Sequence, residues 1–196
     1  MSEPVASLTL DESLPLLGIA AWSGTGKTTL LEALLPRLRS RGLRVAVIKH
    51  AHHSFDVDQP GKDSHRLRQA GASPMLVASR SRLALMMETP DQPEADLAAL
   101  LAMVAPQRPD LVLVEGFKAW PLPKLELHRP ALGKSLRASE DPWVRAVASD
   151  APIFLPEGVE GLDLNDHAGL TEWIAAWPAR WPAERQPRSV REGSPS

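Results

Sequence analysis

The apolar stretch Leu14 to Ala20 gives way to a polar, glycine-bearing turn, after which Leu30, Leu31, Leu34, Leu35 and Leu38 recur at helical spacing. The first pattern predicts a strand of the buried type. The second predicts a helix with one apolar stripe, carrying Pro36 inside it and ended at Gly42. A second strand, Leu43 to Lys49, closes a βαβ unit. A polar loop over residues 49–64 runs into a short helix, Ser64 to Ala70, stopped by Gly71. Met75 to Ser79 and Leu83 to Met87 are strand-like runs separated by a few polar residues, which predicts an antiparallel hairpin. A helix with Pro93 in its first turn reaches Val104. Leu111, Val112, Leu113 and Val114 then form a strand apolar on both faces, ending in Glu115 and Gly116. Strands at Lys124 to His128, Val144 to Ser149 and Ile153 or Leu162 to Leu164 precede an amphipathic helix from about His167 to Trp177. This alternation predicts a three-layer α/β domain of the P-loop NTPase type, mostly parallel in its sheet, with the antiparallel hairpin added.

The turn after the first strand reads Ala21-Trp22-Ser23-Gly24-Thr25-Gly26-Lys27-Thr28-Thr29. Glycines at 24 and 26 let successive backbone N–H groups face one concavity, and the helix that follows adds the positive end of its dipole, so the turn is built for phosphate. In the pattern G-x-x-x-x-G-K-[ST], Lys27 reaches the β and γ phosphates, Thr28 supplies a hydroxyl to Mg²⁺, and Thr29 is placed to donate to the α-phosphate. Ala21 stands where the pattern opens with glycine. A nucleoside triphosphate is the expected ligand.

At 196 residues the chain is long enough for one domain with a sizeable core. A net charge of −2 offers no global basic field for nucleic acid. The absence of cysteine removes disulfides, thiolate catalysis and cysteine metal sites. No apolar run approaches the roughly 18 to 20 residues of a membrane span, and Met1 to Asp11 lacks the pattern of a signal peptide, so a cytoplasmic location is expected. Nineteen prolines are many for this length, and several fall between Trp177 and Pro187. That segment predicts no helix and, with the polar residues after it, a flexible tail. The expected organisation is a flexible start over residues 1–13, a nucleotide-binding domain over 14–177 and a flexible Pro/Arg-rich tail over 178–196.

Three strand ends are expected to converge at the carboxyl edge of the sheet: Ala20 into the P-loop, Lys49 into the polar loop, and Val114 into Glu115. Glu115, after four apolar residues, stands where a Walker B strand holds its Mg²⁺ acid, and its length also suits orienting a water for attack. Asp56, Asp58 and Asp63 lie where a nucleotide-sensing switch would sit, each within water-mediated reach of Mg²⁺ or else a solvated loop carboxylate, and Lys62 is a candidate γ-phosphate contact. His50, His52 and His53 are a candidate Zn²⁺ or Ni²⁺ cluster, although alternate residues of an extended segment face opposite sides and favour phosphate or partner contacts instead. The Asn-Lys-x-Asp signature of guanine recognition is absent. Asp150, after the strand Val144 to Ser149, is a base reader by position or a turn residue. Trp22, inside the phosphate loop, is placed to cover nucleotide or partner.

The P-loop from Ala20, the segment Ile48-Lys49-His50-Ala51-His52-His53 with Asp56-Val57-Asp58, Pro60-Gly61-Lys62-Asp63-Ser64, and Leu113-Val114-Glu115-Gly116-Phe117-Lys118 together resemble the MobB family. The resemblance runs from about Leu16 to Trp177. It implies a GTP-binding adapter with Mg²⁺ on the P-loop and weak GTP hydrolysis. It further implies homodimers through extended sheets and assistance to the guanylyltransferase that attaches GMP to molybdopterin. Carried onto this chain, the nucleotide positions are Gly24, Thr25, Gly26, Lys27, Thr28 and Thr29, with Glu115 as the Walker B acid. Two other classes remain open: a small-molecule kinase, with the arginines at 66, 68, 80 and 82 as a lid, and a metallochaperone GTPase using the three histidines.

Overall fold

The computed structural model describes residues 13–51, 55–90, 92 and 94–188. The chain divides into two compact units, residues 1–50 with 97–196, and residues 51–96. In the larger unit, strands β1 (Leu16–Ala21), β2 (Val45–Lys49), β5 (Leu111–Glu115), β6 (Lys124–His128), β7 (Val144–Ser149) and β8 (Glu160–Asp163) form one sheet in the order β2-β5-β1-β6-β7-β8. Every pairing within it is parallel. In the smaller unit, β3 (Met75–Ala78) and β4 (Leu83–Met86) pair antiparallel, as the two separated runs predicted.

The central strands explain themselves from composition. β1, β5, β6 and β7 are buried along their whole length, which a strand covered on both faces requires. Helix α1 (Lys27–Ser40) turns Leu30, Leu31, Leu34 and Leu38 inward, with Pro36 inside it as the sequence shows, and it packs against α4 (His167–Ala175). Each fully buried leucine is worth about 2 kcal/mol of transfer free energy, and Leu16, Leu17, Leu34, Leu38, Leu111 and Leu113 are all among the most buried side chains. α2 (Asp63–Gln69) lies in the smaller unit and α3 (Leu97–Val104) in the larger.

Three expectations change. The helix expected with Pro93 in its first turn begins only at Leu97, and Pro93 lies outside the described residues. The last strand is β8 at Glu160–Asp163; Ile153 lies in no strand. The segment that its prolines predicted to be helix-free forms α5 (Trp177–Glu184). Pro178 occupies the first turn, where no N–H is needed, and Pro182 removes a single ladder bond. Trp177 and Trp181, four residues apart on one face, are 0% and 1% exposed, and the indole N–H of Trp177 donates to the carbonyl oxygen of Leu16 at 2.8 Å. Burying two indoles outweighs the lost backbone bond. Arg180 lies over both Trp173 and Trp177, at 5.0 and 5.3 Å from their ring centres. Of the stretches expected to be flexible, 1–13 and 178–196, residues 1–12 and 189–196 lie outside the described residues.

Candidate functional site

β1 delivers its buried run to Ala21, its last residue, which is 3% exposed. Ala21 is not among the left-handed residues, so the opening position of the motif needs no glycine here. The left-handed turns fall instead at Gly24 (φ 83°) and Gly26 (φ 92°), where L side chains are strained. Thr25 closes the loop internally, its amide and its hydroxyl both donating to the Trp22 carbonyl at 3.3 and 2.8 Å. α1 begins at Lys27 with no side-chain cap and no acidic residue in its first turn, leaving its dipole end uncompensated by the chain itself. Thr28 and Thr29 are exposed in that turn. The loop therefore has the shape and charge to receive phosphate oxygens.

On the β5 side, Glu115 is the last residue of its strand, in register with Ile19 of β1 and Lys49 of β2. Its carboxylate is paired with Lys27 at 3.2 Å and Lys49 at 3.8 Å, and the residue is 8% exposed. The predicted P-loop lysine and the predicted Walker B acid are thus brought together. A bound polyphosphate would compete with Glu115 for Lys27 and leave the carboxylate for a cation. Gly116 keeps the junction closed: at φ 94°, a Cβ there would lie 2.8 Å from the His50 carbonyl oxygen. His50 returns its own N–H to the Glu115 carbonyl at 2.8 Å and stacks on Phe117 with ring centres 5.0 Å apart.

The β6 side carries residues that local patterning did not single out. Arg129, one residue past β6, donates from Nε to the Thr25 carbonyl at 2.9 Å and from Nη1 to Asp150 at 2.6 Å. Asp150, expected as a base reader or turn residue, is thereby tied through Arg129 to the phosphate loop. Trp22 donates from its indole to the Ser135 carbonyl at 2.9 Å, while Arg137 lies 4.4 Å and Lys134 5.8 Å from its ring centre. The turn bearing Arg137 hangs on Glu126, wholly buried in β6, whose two oxygens accept the amides of Arg137 and Ala138 at 2.8 Å each. Burial pushes the Glu126 carboxyl up against the pull of those two amides. Lys118 is pushed down, first by burial and then by the positive charges of Arg137 and Lys27. The available signal for Arg129 was its position: it directly follows a strand end, as Asp150 does, while Lys49 and Glu115 are themselves strand ends.

Asp56, Asp58 and Lys62 belong to the smaller unit. Both aspartates pair with Arg68, Asp56 at 2.7 Å and Asp58 at 3.4 Å, and Arg68 also holds Glu88 at 2.8 Å. The Asp58 amide and Arg68 hold the Asp56 carboxyl below the usual carboxylate range. Asp58 also accepts from the Ser64 hydroxyl at 2.8 Å, and Lys62 precedes the first residue of α2. These acids make a local scaffold around one guanidinium. Asp63 pairs with Arg66 at 3.7 Å. His52 and His53 lie outside the described residues, and among the described residues no group of three His, Cys, Asp or Glu could hold a metal.

Comparison with known proteins decides the family. The model for MobB, molybdopterin guanine dinucleotide synthesis protein B, matches residues 16–150. The chain belongs to the MobB family. The chain is 50% identical over 167 residues to the molybdopterin-guanine dinucleotide biosynthesis adapter protein of Escherichia coli K12, covering 84% of this chain and 93% of that one. It is 44% identical to the Haemophilus influenzae adapter protein over 168 residues, covering 86% and 92%. The crystal structure of the MobB protein homolog from Bacillus stearothermophilus superposes with a TM-score of 0.60 at 26% identity, covering 84% of this chain and 97% of that one. The stretch matched by the MobB model takes in the P-loop, Glu115, Arg129, Arg137 and Asp150, and stops before α4 and α5.

Proposed function

We propose that the protein is a GTP-binding adapter in molybdopterin-guanine dinucleotide biosynthesis, which assists the guanylyltransferase that joins GMP to molybdopterin and hydrolyses GTP slowly by itself. The observation that carries this reading is the Lys27–Glu115 pair at the mouth of the P-loop, set in a chain half identical to an adapter protein. Gly24 to Lys27 offer backbone amides to the phosphates, Lys27 bridges β and γ, Thr29 donates to the α-phosphate, and Thr28 with Glu115 holds Mg²⁺. Asp150 serves the base. The working form is a cytoplasmic homodimer. Among the described residues no helix is long and apolar enough to cross a membrane.

Calorimetric titration with GTP and then ATP, each with Mg²⁺, tests the reading. Selective GTP binding with one site per chain is the expected result, and Lys27→Ala should weaken it about a hundredfold, or ~3 kcal/mol, with the fold intact. Equal binding of both nucleotides, or steady γ-phosphate transfer to a small acceptor, would overturn it.

A further inference from the structure

The P-loop neighbourhood holds more positive charge than one nucleotide site uses. Lys27 and Lys49 share Glu115, and Arg129 is matched by Asp150. Lys118, Lys134 and Arg137 make no ion pair with a carboxylate among the described residues, although the charge of Arg137 also acts on the buried Glu126. Two of them flank the ring of Trp22, which is itself fixed by its bond to Ser135. Arg137 is held by architecture: its amide and the next are bound by the buried Glu126. Its Nε is buried without a hydrogen-bond partner among the described residues. An unpaired buried donor is costly, and a guanidinium resting on an aromatic face keeps its edge donors free for an oxyanion. Lys118, pushed down first by burial, also feels the positive charges of Arg137 and Lys27.

We infer that Lys134 and Arg137, both over the Trp22 ring, form a second anion subsite beside the P-loop that takes the phosphate of a monoester distinct from the nucleotide, with Lys118 as its outer cation. A phosphate dianion matches three cations better than a carboxylate, because its three terminal oxygens serve the guanidinium fork and both ammonium groups at once. Its anchor is the Trp22 ring and the 134–137 segment, whereas Gly24, Gly26 and Lys27 form the proposed nucleotide cradle. Glu126 acts as a positioning residue, through the turn it fixes. The inference rests on the proposed function only in treating the P-loop as the first anion site.

The test silences that first site. In Lys27→Ala protein, phenyl phosphate is titrated and followed by ³¹P NMR and calorimetry, with benzoate as the carboxylate control. One phenyl phosphate should bind per chain. Adding Arg137→Ala should weaken it about tenfold or more, Lys118→Ala or Lys134→Ala about three- to tenfold, and benzoate should bind at least tenfold more weakly. Lys118 and Lys134 are exposed, so their variants keep the test sound should Arg137→Ala disturb the fold. Phenyl phosphate binding that vanishes with Lys27→Ala alone would assign the anion to the P-loop and overturn the subsite. So would Arg137→Ala, in an otherwise native chain, weakening Mg·GTP as much as Lys27→Ala does, since the cations would then belong to the nucleotide. If native protein fails to bind GTP while phenyl phosphate binding still depends on Arg137, the nucleotide reading falls and the subsite stands.

Discussion

β1 is flanked by two strands that each bury a glutamate, and the two are neutralised differently. Glu115, at the end of β5, is met by the flexible ammonium groups of Lys27 and Lys49. Glu126, inside β6, is met by two fixed backbone amides and is wholly buried. Lysine side chains swing, so the Glu115 pair can be exchanged for a phosphate and a metal ion at modest cost. Amides of a short turn cannot leave without unfolding it, so Glu126 fixes the position of Arg137 and takes part in no exchange. Burial alone does not mark a catalytic carboxylate. What distinguishes the two is whether the partner can move.

Removing each acid should separate the roles. The largest effect is expected for Glu126→Ala, which leaves two buried amides unsatisfied and opens a cavity: a loss of about 3 to 5 kcal/mol of unfolding free energy in urea titration. Glu115→Ala should cost less than half as much, and a larger loss there would erase the contrast. Next, Glu115→Gln should lower Mg²⁺-dependent GTP hydrolysis about ten- to a hundredfold, or ~1.4 to 2.8 kcal/mol, while GTP affinity stays within a few-fold. Parallel loss of binding and turnover would make Glu115 a mere anchor for Lys27. The smallest effect is in pH dependence. Because burial raises the folded carboxyl of Glu126 above its ordinary value of 4.5, the folded chain binds this proton more readily than the unfolded chain. Its contribution to stability is therefore complete below 4.5 and is lost as pH rises through the raised folded value. The stability difference between wild type and Glu126→Gln should accordingly shift in favour of wild type on acidification from neutral pH, and a flat difference would refute the raised carboxyl.

Local pattern made much of this site legible. The Gly24, Gly26, Lys27 spacing and the apolar run before Glu115 are short-range signals, and the structure brings Lys27 and Glu115 together as expected. The hairpin was equally readable from Met75 and Leu83 onward. Arg129 on Thr25 and Trp22 on Ser135 join positions more than a hundred residues apart, which periodicity does not report. α5 was hidden for a different reason. Its prolines argued against a helix, while the stabilising signal, two buried tryptophans at helical spacing, acts only in the folded chain, where Leu16 of β1 accepts the Trp177 N–H.

The bond from Trp177 to Leu16 ties the order of synthesis to the order of assembly. β1 leaves the ribosome early, yet its sheet partners begin at Leu111 and Lys124, and the indole that covers its first carbonyl comes later still. At about 5 to 20 residues per second, the strand that feeds the phosphate loop waits several seconds or more for neighbours. A nascent chain therefore carries the glycine-bearing sequence of the loop long before it carries the folded strand end that holds it.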